Sequence, residues 1–152
     1  MLHLVFQTGE QKYAFQSSLI VEILPFVKLR KSIKTPGYFA GQLNYRGVIV
    51  PVIDLNHLLT STPSENLLST RIIIVNYEVS KTTKKMLGLL CEQVMEIIDI
   101  NTATIQSSGF TDDEASYLGD LTVINSGMIQ FIKPENLLPD YLKRRIFGGE
   151  ES

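Results

Sequence analysis

Short runs in which apolar and polar residues alternate cover most of this chain, and this period of two limits the possible folds more than any other feature. In residues 2–6 the two leucines and Phe6 share one face, and in residues 11–16 Tyr13 and Phe15 share one face. Further strands are predicted over residues 26–33, 48–55, 71–79, 86–100 and 121–132, the fourth being one long bent strand or a pair. Because such runs recur about every 8–12 residues with few helices between them, the sequence predicts an all-β fold, either small barrels or a sandwich.

Only short helices are predicted. Residues 17–24 begin with serines that can cap a helix, and Pro25 would end it after about two turns. Thr111 can cap a single helical turn, while Pro134 at a first-turn position and Asp140 as a cap indicate short helices near the C-terminus. The stretches rich in turn residues predict loops over residues 35–47, 60–66 and 104–120, and a hairpin turn at Asn125-Ser126-Gly127.

Composition limits the class of protein. A chain of 152 residues is one domain's worth and can bury about 68–70% of its unfolded surface, so it needs no disulfide or metal to fold. A net charge of −2 gives no overall attraction to nucleic acid or anionic lipid. The start lacks the basic region of a signal peptide, and no run approaches the roughly 18 apolar residues of a membrane helix. We expect one soluble, cytoplasmic domain over residues 1–147, without membrane insertion, followed by a flexible tail at 148–152.

No group of residues in the sequence predicts catalysis. His3 lies opposite the apolar face of the first strand and His57 follows an apolar run, so each is expected to be a surface or locally hydrogen-bonded residue. Two histidines and the single Cys91 lack the spacing of a metal site, and Cys91 inside an apolar run is expected to be a buried, inert thiol. The carboxylates of residues 111–115 are expected to be solvated, and no glycine-rich phosphate loop occurs. We therefore expect no enzymatic activity, no metal and no cofactor.

A basic cluster offers an alternative function, because small barrels often bind single-stranded nucleic acid through cations and aromatic platforms. The cluster lies near Tyr38 and Phe39 and consists of Lys28, Arg30, Lys31 and Lys34. Charged residues on an alternating strand also protect an open edge against unwanted pairing. The acidic pI favours this second interpretation, so we expect no nucleic acid partner.

Residues 41–55, GQLNYRGVIVPVIDL, place Arg46 and Gly47 directly before a run that is apolar on both faces. Such a strand is expected to be covered on both sides, with Pro51 at a bulge or a free edge. Gly41 and Gly47 allow tight turns on either side of the intervening segment. The five donors of Arg46 suit it to hold loop carbonyls or a carboxylate such as Glu22. The segment therefore indicates a shaped surface and not a reacting centre.

From Tyr13 to Leu55 the chain resembles the CheW family, the adaptors of bacterial chemotaxis arrays. The matching residues are Tyr13, the Val21-Glu22-Ile23 turn, Thr35-Pro36 and the whole of residues 41–55. The later half is similar as well, in RIIIVNY, MLGLLCEQVMEII and the final YLGDL and MIQFIKPENLL segments. The chain departs from the family pattern at Ala14, at Tyr45, where leucine is usual, and at Cys91-Glu92.

The resemblance implies a fold of two five-stranded SH3-like barrels packed on a shared hydrophobic core. It also implies a non-catalytic adaptor that couples the cytoplasmic tip of chemoreceptors to the regulatory domain of a CheA-type histidine kinase. Such an adaptor would be cytoplasmic and recruited to receptor arrays at the membrane.

The position-by-position match implies a set of partner-binding residues, namely Ile20, Glu22, Ile23, Asn44, Arg46 and Gly47. On the predicted helix one of Ile20 and Val21 should face the barrel and the other solvent, and the resemblance assigns Ile20 to the outside. Arg46 is expected either to organise its loop or to contact a partner directly.

Overall fold

Two five-stranded β-sheets make up the chain in the computed structural model, which describes residues 1–31, 34–109 and 115–148. The first sheet has the order β8-β1-β2-β10-β9, with β1 at Leu2–Thr8, β2 at Gln11–Gln16, β8 at Gln93–Asp99, β9 at Leu118–Ile124 and β10 at Gly127–Ile132. The second has the order β3-β6-β7-β5-β4, with β3 at Ile20–Pro25, β4 at Phe39–Tyr45, β5 at Val48–Asp54, β6 at Arg71–Glu78 and β7 at Lys84–Cys91. Two short helices are described, α1 at Leu55–Thr60 and α2 at Asp140–Phe147. The predicted all-β class is confirmed.

Each sheet is closed by one isolated bridge from the segment that follows its edge strand. After β3, Arg30 exchanges backbone hydrogen bonds of 2.9 and 2.8 Å with Gln42 of β4. After β8, Gln106 exchanges bonds of 2.8 and 2.9 Å with Leu121 of β9. We call the closed units the first barrel (β1, β2 and β8–β10) and the second barrel (β3–β7).

The second barrel is inserted into the first. All five of its strands lie between β2 and β8, and only Glu92 separates β7 from β8. Residues 86–100 are therefore a pair of strands, one in each barrel, which is one of the two alternatives that the sequence allowed.

The main hydrophobic core lies between the barrels. One face of each barrel contributes side chains such as Phe6, Phe15, Ile53, Ile73 and Leu89, all of which are almost completely buried. A smaller cluster fills the second barrel, around Val50, Val52, Ile72 and Ile74, and another fills the first, around Val5, Ala14, Ile100 and Ile129. Because inner strands have apolar neighbours on both faces, β5 is buried from Val50 to Asp54, as predicted. Its first two residues, Val48 and Ile49, are exposed beside the preceding turn.

The helix predicted over residues 17–24 is wrong. A 3₁₀ turn covers Ser17–Leu19, and residues 20–25 form β3, which pairs with β6 in an antiparallel register. Three of the six residues of β3 are β-branched, and such side chains pack better on a sheet than in a helix. Pairing with a distant strand therefore outweighs the local helix signal of the serines.

Two further expectations around the motif are wrong. Residues 26–31 pair only through Arg30, so the predicted strand over 26–33 reduces to one bridge, residues 32 and 33 lying outside the described ranges. Residues 39–45, expected in a loop, form β4. Gly41 is not a turn residue there: a Cβ atom at this position would lie 2.6 Å from the carbonyl oxygen of Arg30. The glycine permits the close approach of the two segments that close the second barrel.

The remaining predictions mostly agree with the structure. β6 matches the expected strand, and the turn between β9 and β10 has Asn125 and Ser126 at positive φ. Pro51 precedes the pairing of β5 with β7, which begins at Val52, so it lies on a locally free edge. The cap of α2 is Pro139, and Asp140 is its first residue instead of its cap. The turn predicted at Thr111 and the tail beyond Gly148 lie outside the described residues.

None of the helices in the described ranges combines the length and the apolar character that crossing a lipid bilayer requires.

Candidate functional site

A two-residue turn explains why the motif places an arginine and a glycine before its apolar run. Arg46 and Gly47 connect β4 to β5 with φ values of 53° and 87°, as in a type I′ turn. The Asn44 side chain accepts a hydrogen bond of 2.8 Å from the Gly47 amide. Asn44 and Gly47, two of the predicted partner-binding residues, thus shape the tip of an exposed hairpin.

Three side chains span the gap between β3 and β4. Glu22 Oε1 accepts a hydrogen bond of 2.5 Å from the Tyr45 hydroxyl and one of 3.1 Å from Arg46 Nη2. The guanidinium of Arg46 also lies over the Tyr45 ring, 5.1 Å from its centroid. We call this group (Glu22, Tyr45 and Arg46) the seam cluster. It joins the two edge strands away from the Arg30–Gln42 bridge, so side chains hold the barrel where the strands are not paired.

The seam cluster confirms the expected contact between Arg46 and Glu22. The Arg46 side chain is nevertheless 76% exposed, so its guanidinium keeps donors directed to solvent. The hydrogen bond to Glu22 raises the pKa of the Tyr45 hydroxyl above its ordinary value, because it favours the protonated phenol. The cluster therefore presents an ion pair at the surface, next to a protonated phenol that is largely buried.

A bulge at Val21 determines which way the aliphatic residues of β3 face. Ile20 pairs with Val75 and Ile23 with Ile73, and both partners belong to the core between the barrels. Since residues opposite each other share a face of the sheet, Ile20 and Ile23 face the junction of the two barrels. Glu22 is on the opposite face, with the seam cluster. The structure thus divides the predicted residues into an apolar pair and a polar group.

The assignment of Ile20 to the outside is wrong. Ile20 is partly buried and packs against the shared core, whereas Val21 is 41% exposed. The assignment assumed a helix, in which neighbouring residues are separated by about 100°. In the bulged strand it is Val21, the extra residue, that faces solvent.

Further apolar side chains are exposed beside this pair. Ser17, just before β3, donates a hydrogen bond of 3.3 Å to the Leu2 carbonyl and so brings the start of β3 next to the start of β1. Leu2 is exposed there, and on β8 the exposed Ile97 is paired with the core residue Leu4. With Ile23, these side chains surround the junction of the barrels. Exposed aliphatic residues at a junction of this kind are typical of protein interaction sites.

The sequence did not indicate the role of Tyr45. In the sequence Tyr45 is only a departure from the leucine that is usual in the family. A tyrosine at a buried position requires a partner for its hydroxyl, and the carboxylate of Glu22 was the available signal.

The side chains that could be reactive, those of the histidines and the cysteine, are in structural positions. His3 is buried, with Nδ1 3.0 Å from the Met1 carbonyl oxygen and its ring edge against Phe131. The backbone amide of His57 donates to Asp54 in the first turn of α1. Cys91 is completely buried in the shared core, as predicted, and burial raises the pKa of its thiol to about 12. Within residues 1–31, 34–109 and 115–148, no group of three or more metal-binding side chains lies together.

We expect Cys91 to react with a thiol reagent at least about 100-fold more slowly in native buffer than in denaturant, because the reactive thiolate is both scarce and buried. Absorbance during reaction with a chromogenic disulfide measures both rates. Equal rates in the two conditions would contradict the burial of β7 in the core.

The alternative of nucleic acid binding loses its aromatic platform. Phe39 is buried and Tyr38 is partly buried against the core between the barrels, so the two rings do not form an exposed pair on which bases could stack.

Comparison with known proteins agrees with the geometry. The CheW-like domain family matches residues 2–141. The probable chemotaxis protein CheW of Rhizobium etli is 26% identical over 139 residues, which cover 90% of this chain and 86% of the relative. The chemotaxis protein CheW of Klebsiella aerogenes is 25% identical over 137 residues, covering 89% and 80%. The solved structure of the scaffolding protein TtCheW from Thermoanaerobacter tengcongensis superposes with a TM-score of 0.74 at 29% identity, covering 87% of this chain and 88% of that one.

Proposed function

Because this chain belongs to the CheW-like domain family, we propose that it is a non-catalytic scaffold that couples chemoreceptors to a CheA-type histidine kinase. The observation that carries the proposal is the match to chemotaxis scaffolds across both barrels, in sequence and in structure. The protein would work in the cytoplasm and be recruited to receptor arrays at the membrane. It would contribute by binding its partners and by fixing their relative orientation.

The arrangement of the site supports a division of labour. The aliphatic residues at the junction, Ile20 and Ile23 with Leu2 and Ile97 beside them, suit the apolar face of a helical receptor hairpin. The seam cluster adds a polar rim at the edge of the second barrel, with an arginine of the kind enriched in interaction hot spots. In this proposal the apolar pair supplies most of the affinity, and Arg46 sets the orientation.

The proposal is tested by mixing the purified protein with the regulatory domain of the CheA-type kinase encoded in the same genome. We expect a complex with a dissociation constant of tens of micromolar or tighter, measured by titration calorimetry. A receptor cytoplasmic hairpin on vesicles should bring the protein down by co-sedimentation. The absence of a complex with both partners at about 100 μM would contradict the proposal.

Arg46→Asn separates the role of the guanidinium from that of the turn. Asparagine is favoured at this position of a type I′ turn, so we expect the melting temperature to stay within about 3 °C of the parent or to rise. Binding to the partner that contacts the hairpin should weaken about tenfold, because the exposed donors are lost. Arg46→Lys, which retains the charge, is the matched control. Unchanged binding to both partners by Arg46→Asn would leave the arginine with a structural role alone.

A further inference from the structure

A pocket of about 780 Å³ opens at one end of the second barrel, away from the seam cluster. Its apolar lining includes Leu29, Ala40 and Leu90, which belong to the core of the second barrel or pack against it. Residues after α1 and the end of β5 form the far wall. The volume is in the range of sites that hold a small ligand or a few side chains of a peptide.

The near wall of the pocket carries three positive charges without partners. Lys28, Arg30 and Lys31 are exposed, and none of them forms an ion pair within the described residues. A carboxylate also lines the pocket, that of Asp54, but it accepts hydrogen bonds from the Ser64 amide at 2.8 Å, the Ser64 hydroxyl at 2.6 Å and the His57 amide at 3.2 Å. Asp54 therefore holds the loop after α1 and, among the described residues, forms no ion pair with the three cations. The chain as a whole has a net charge of −2, so a local group of three positive charges is a favourable site for an anion.

The same wall offers unused backbone groups. Residues 26–29 connect β3 to the bridge at Arg30, and they belong to no strand pairing among the described residues. Free amides and carbonyls that continue an edge strand can accept an added strand from another chain. The positive charges of Lys28 and Arg30 lie on this segment or next to it, so an added strand would run past them.

We propose that this pocket is a second docking site, which binds an acidic peptide segment of a partner protein as a strand along residues 26–29. Carboxylates of the peptide would pair with Lys28, Arg30 and Lys31, and alternate apolar side chains would enter the pocket against Leu29 and Leu90. Charge complementarity and the free backbone together favour a peptide. Single-stranded nucleic acid would supply the charge but would need exposed aromatic rings; of the two phenylalanines that line the pocket, Phe39 is buried and Phe26 packs against the core of the second barrel.

The test uses a fluorescein-labelled peptide of alternating glutamate and leucine or valine residues and a control peptide with glutamine in place of glutamate. We expect fluorescence anisotropy to show binding of the acidic peptide below about 1 mM and at least tenfold weaker binding of the control. Binding should weaken with salt and should slow hydrogen exchange at the amides of Val27 and Leu29.

Two variants of equal charge locate the site. Lys28→Glu/Lys31→Glu should abolish binding, because it reverses the wall while leaving the Arg30–Gln42 bridge intact. The variant Lys84→Glu/Lys85→Glu changes two exposed positions of β7 outside the pocket, and it should bind the acidic peptide as the parent does. Equal loss in both variants, equal binding of the two peptides, or no binding at about 1 mM would overturn the proposal. Tighter binding of a labelled thymidine oligonucleotide that depends on Lys28 and Lys31 would overturn it in favour of nucleic acid. Since kinase and receptor binding are measured separately, these outcomes do not depend on the proposed scaffold function.

Discussion

Gly41→Ala is expected to lower the free energy of unfolding by about 3–5 kcal/mol. Gly41 has φ near +139°, which side-chain-bearing residues rarely adopt, and a new Cβ atom would lie 2.6 Å from the Arg30 carbonyl oxygen. That oxygen accepts one of the two hydrogen bonds that close the second barrel, so the backbone cannot move away without loss of the closure. Urea denaturation followed by circular dichroism measures the change.

Gly9→Ala is the matched control for this substitution. Gly9 also has a positive φ, of +57°, but nothing lies within 4 Å of the position of its Cβ atom. The substitution Gly9→Ala should therefore lower the free energy of unfolding only by the strain of the left-handed conformation, about 1–2 kcal/mol. If both substitutions cost the same, the close approach of β4 to Arg30 does not limit the fold.

Ile20→Asp is expected to destabilise the protein by about 2–3 kcal/mol, because the carboxylate would lie against the core between the barrels without a partner. Val21→Asp, one residue further, should cost less than about 1 kcal/mol, since Val21 is exposed at the bulge. Thermal and chemical unfolding of the two variants give the comparison. Equal costs would show that the bulge is misplaced.

This pair also determines how partner binding should be tested. A loss of receptor binding by Ile20→Asp would be confounded by its loss of stability. Ile23 shares the face of Ile20 and is 37% exposed, so a substitution there changes the surface with less effect on the core. Ile23→Asp is therefore the informative variant at the junction.

The sequence was sufficient where one local pattern decides the structure. The alternation in residues 2–6 and 11–16 predicted β1 and β2, although Val5 and Ala14 on their other faces are buried as well, and the apolar run at residues 71–79 predicted β6. The apolar surroundings of Cys91 predicted its burial. The number of barrels required more, because alternation alone does not distinguish barrels from a sandwich. That distinction came from the resemblance of the motif in residues 41–55 to the CheW family.

The predictions failed where the local structure depends on contacts with segments that are distant in the sequence. Residues 17–24 carry local helix signals, but β3 exists because it pairs with Arg71–Val75, which no local pattern reveals. Gly41 indicates a turn in isolation and a strand only when Arg30 lies against it. The same is true of the site. The contact between Arg46 and Glu22 could be predicted from their opposite charges, whereas the hydrogen bond of the Tyr45 hydroxyl depends on the relative position of the two edge strands.

The insertion of the second barrel into the first also sets an order for synthesis and folding. Every strand pair of the second barrel joins residues between Ile20 and Cys91, so this barrel has all its strands once that stretch has been translated. The first barrel at that moment has only the β1–β2 hairpin, which is at best marginally stable alone. Its completion needs Leu2 to find Asp99 and Tyr13 to find Gln130, contacts with a high entropic cost unless the ends of the intervening segment are already close. The finished second barrel fixes the end of β2 and the start of β8, which lie on either side of β1, and we therefore expect it to act as the template on which the first barrel closes.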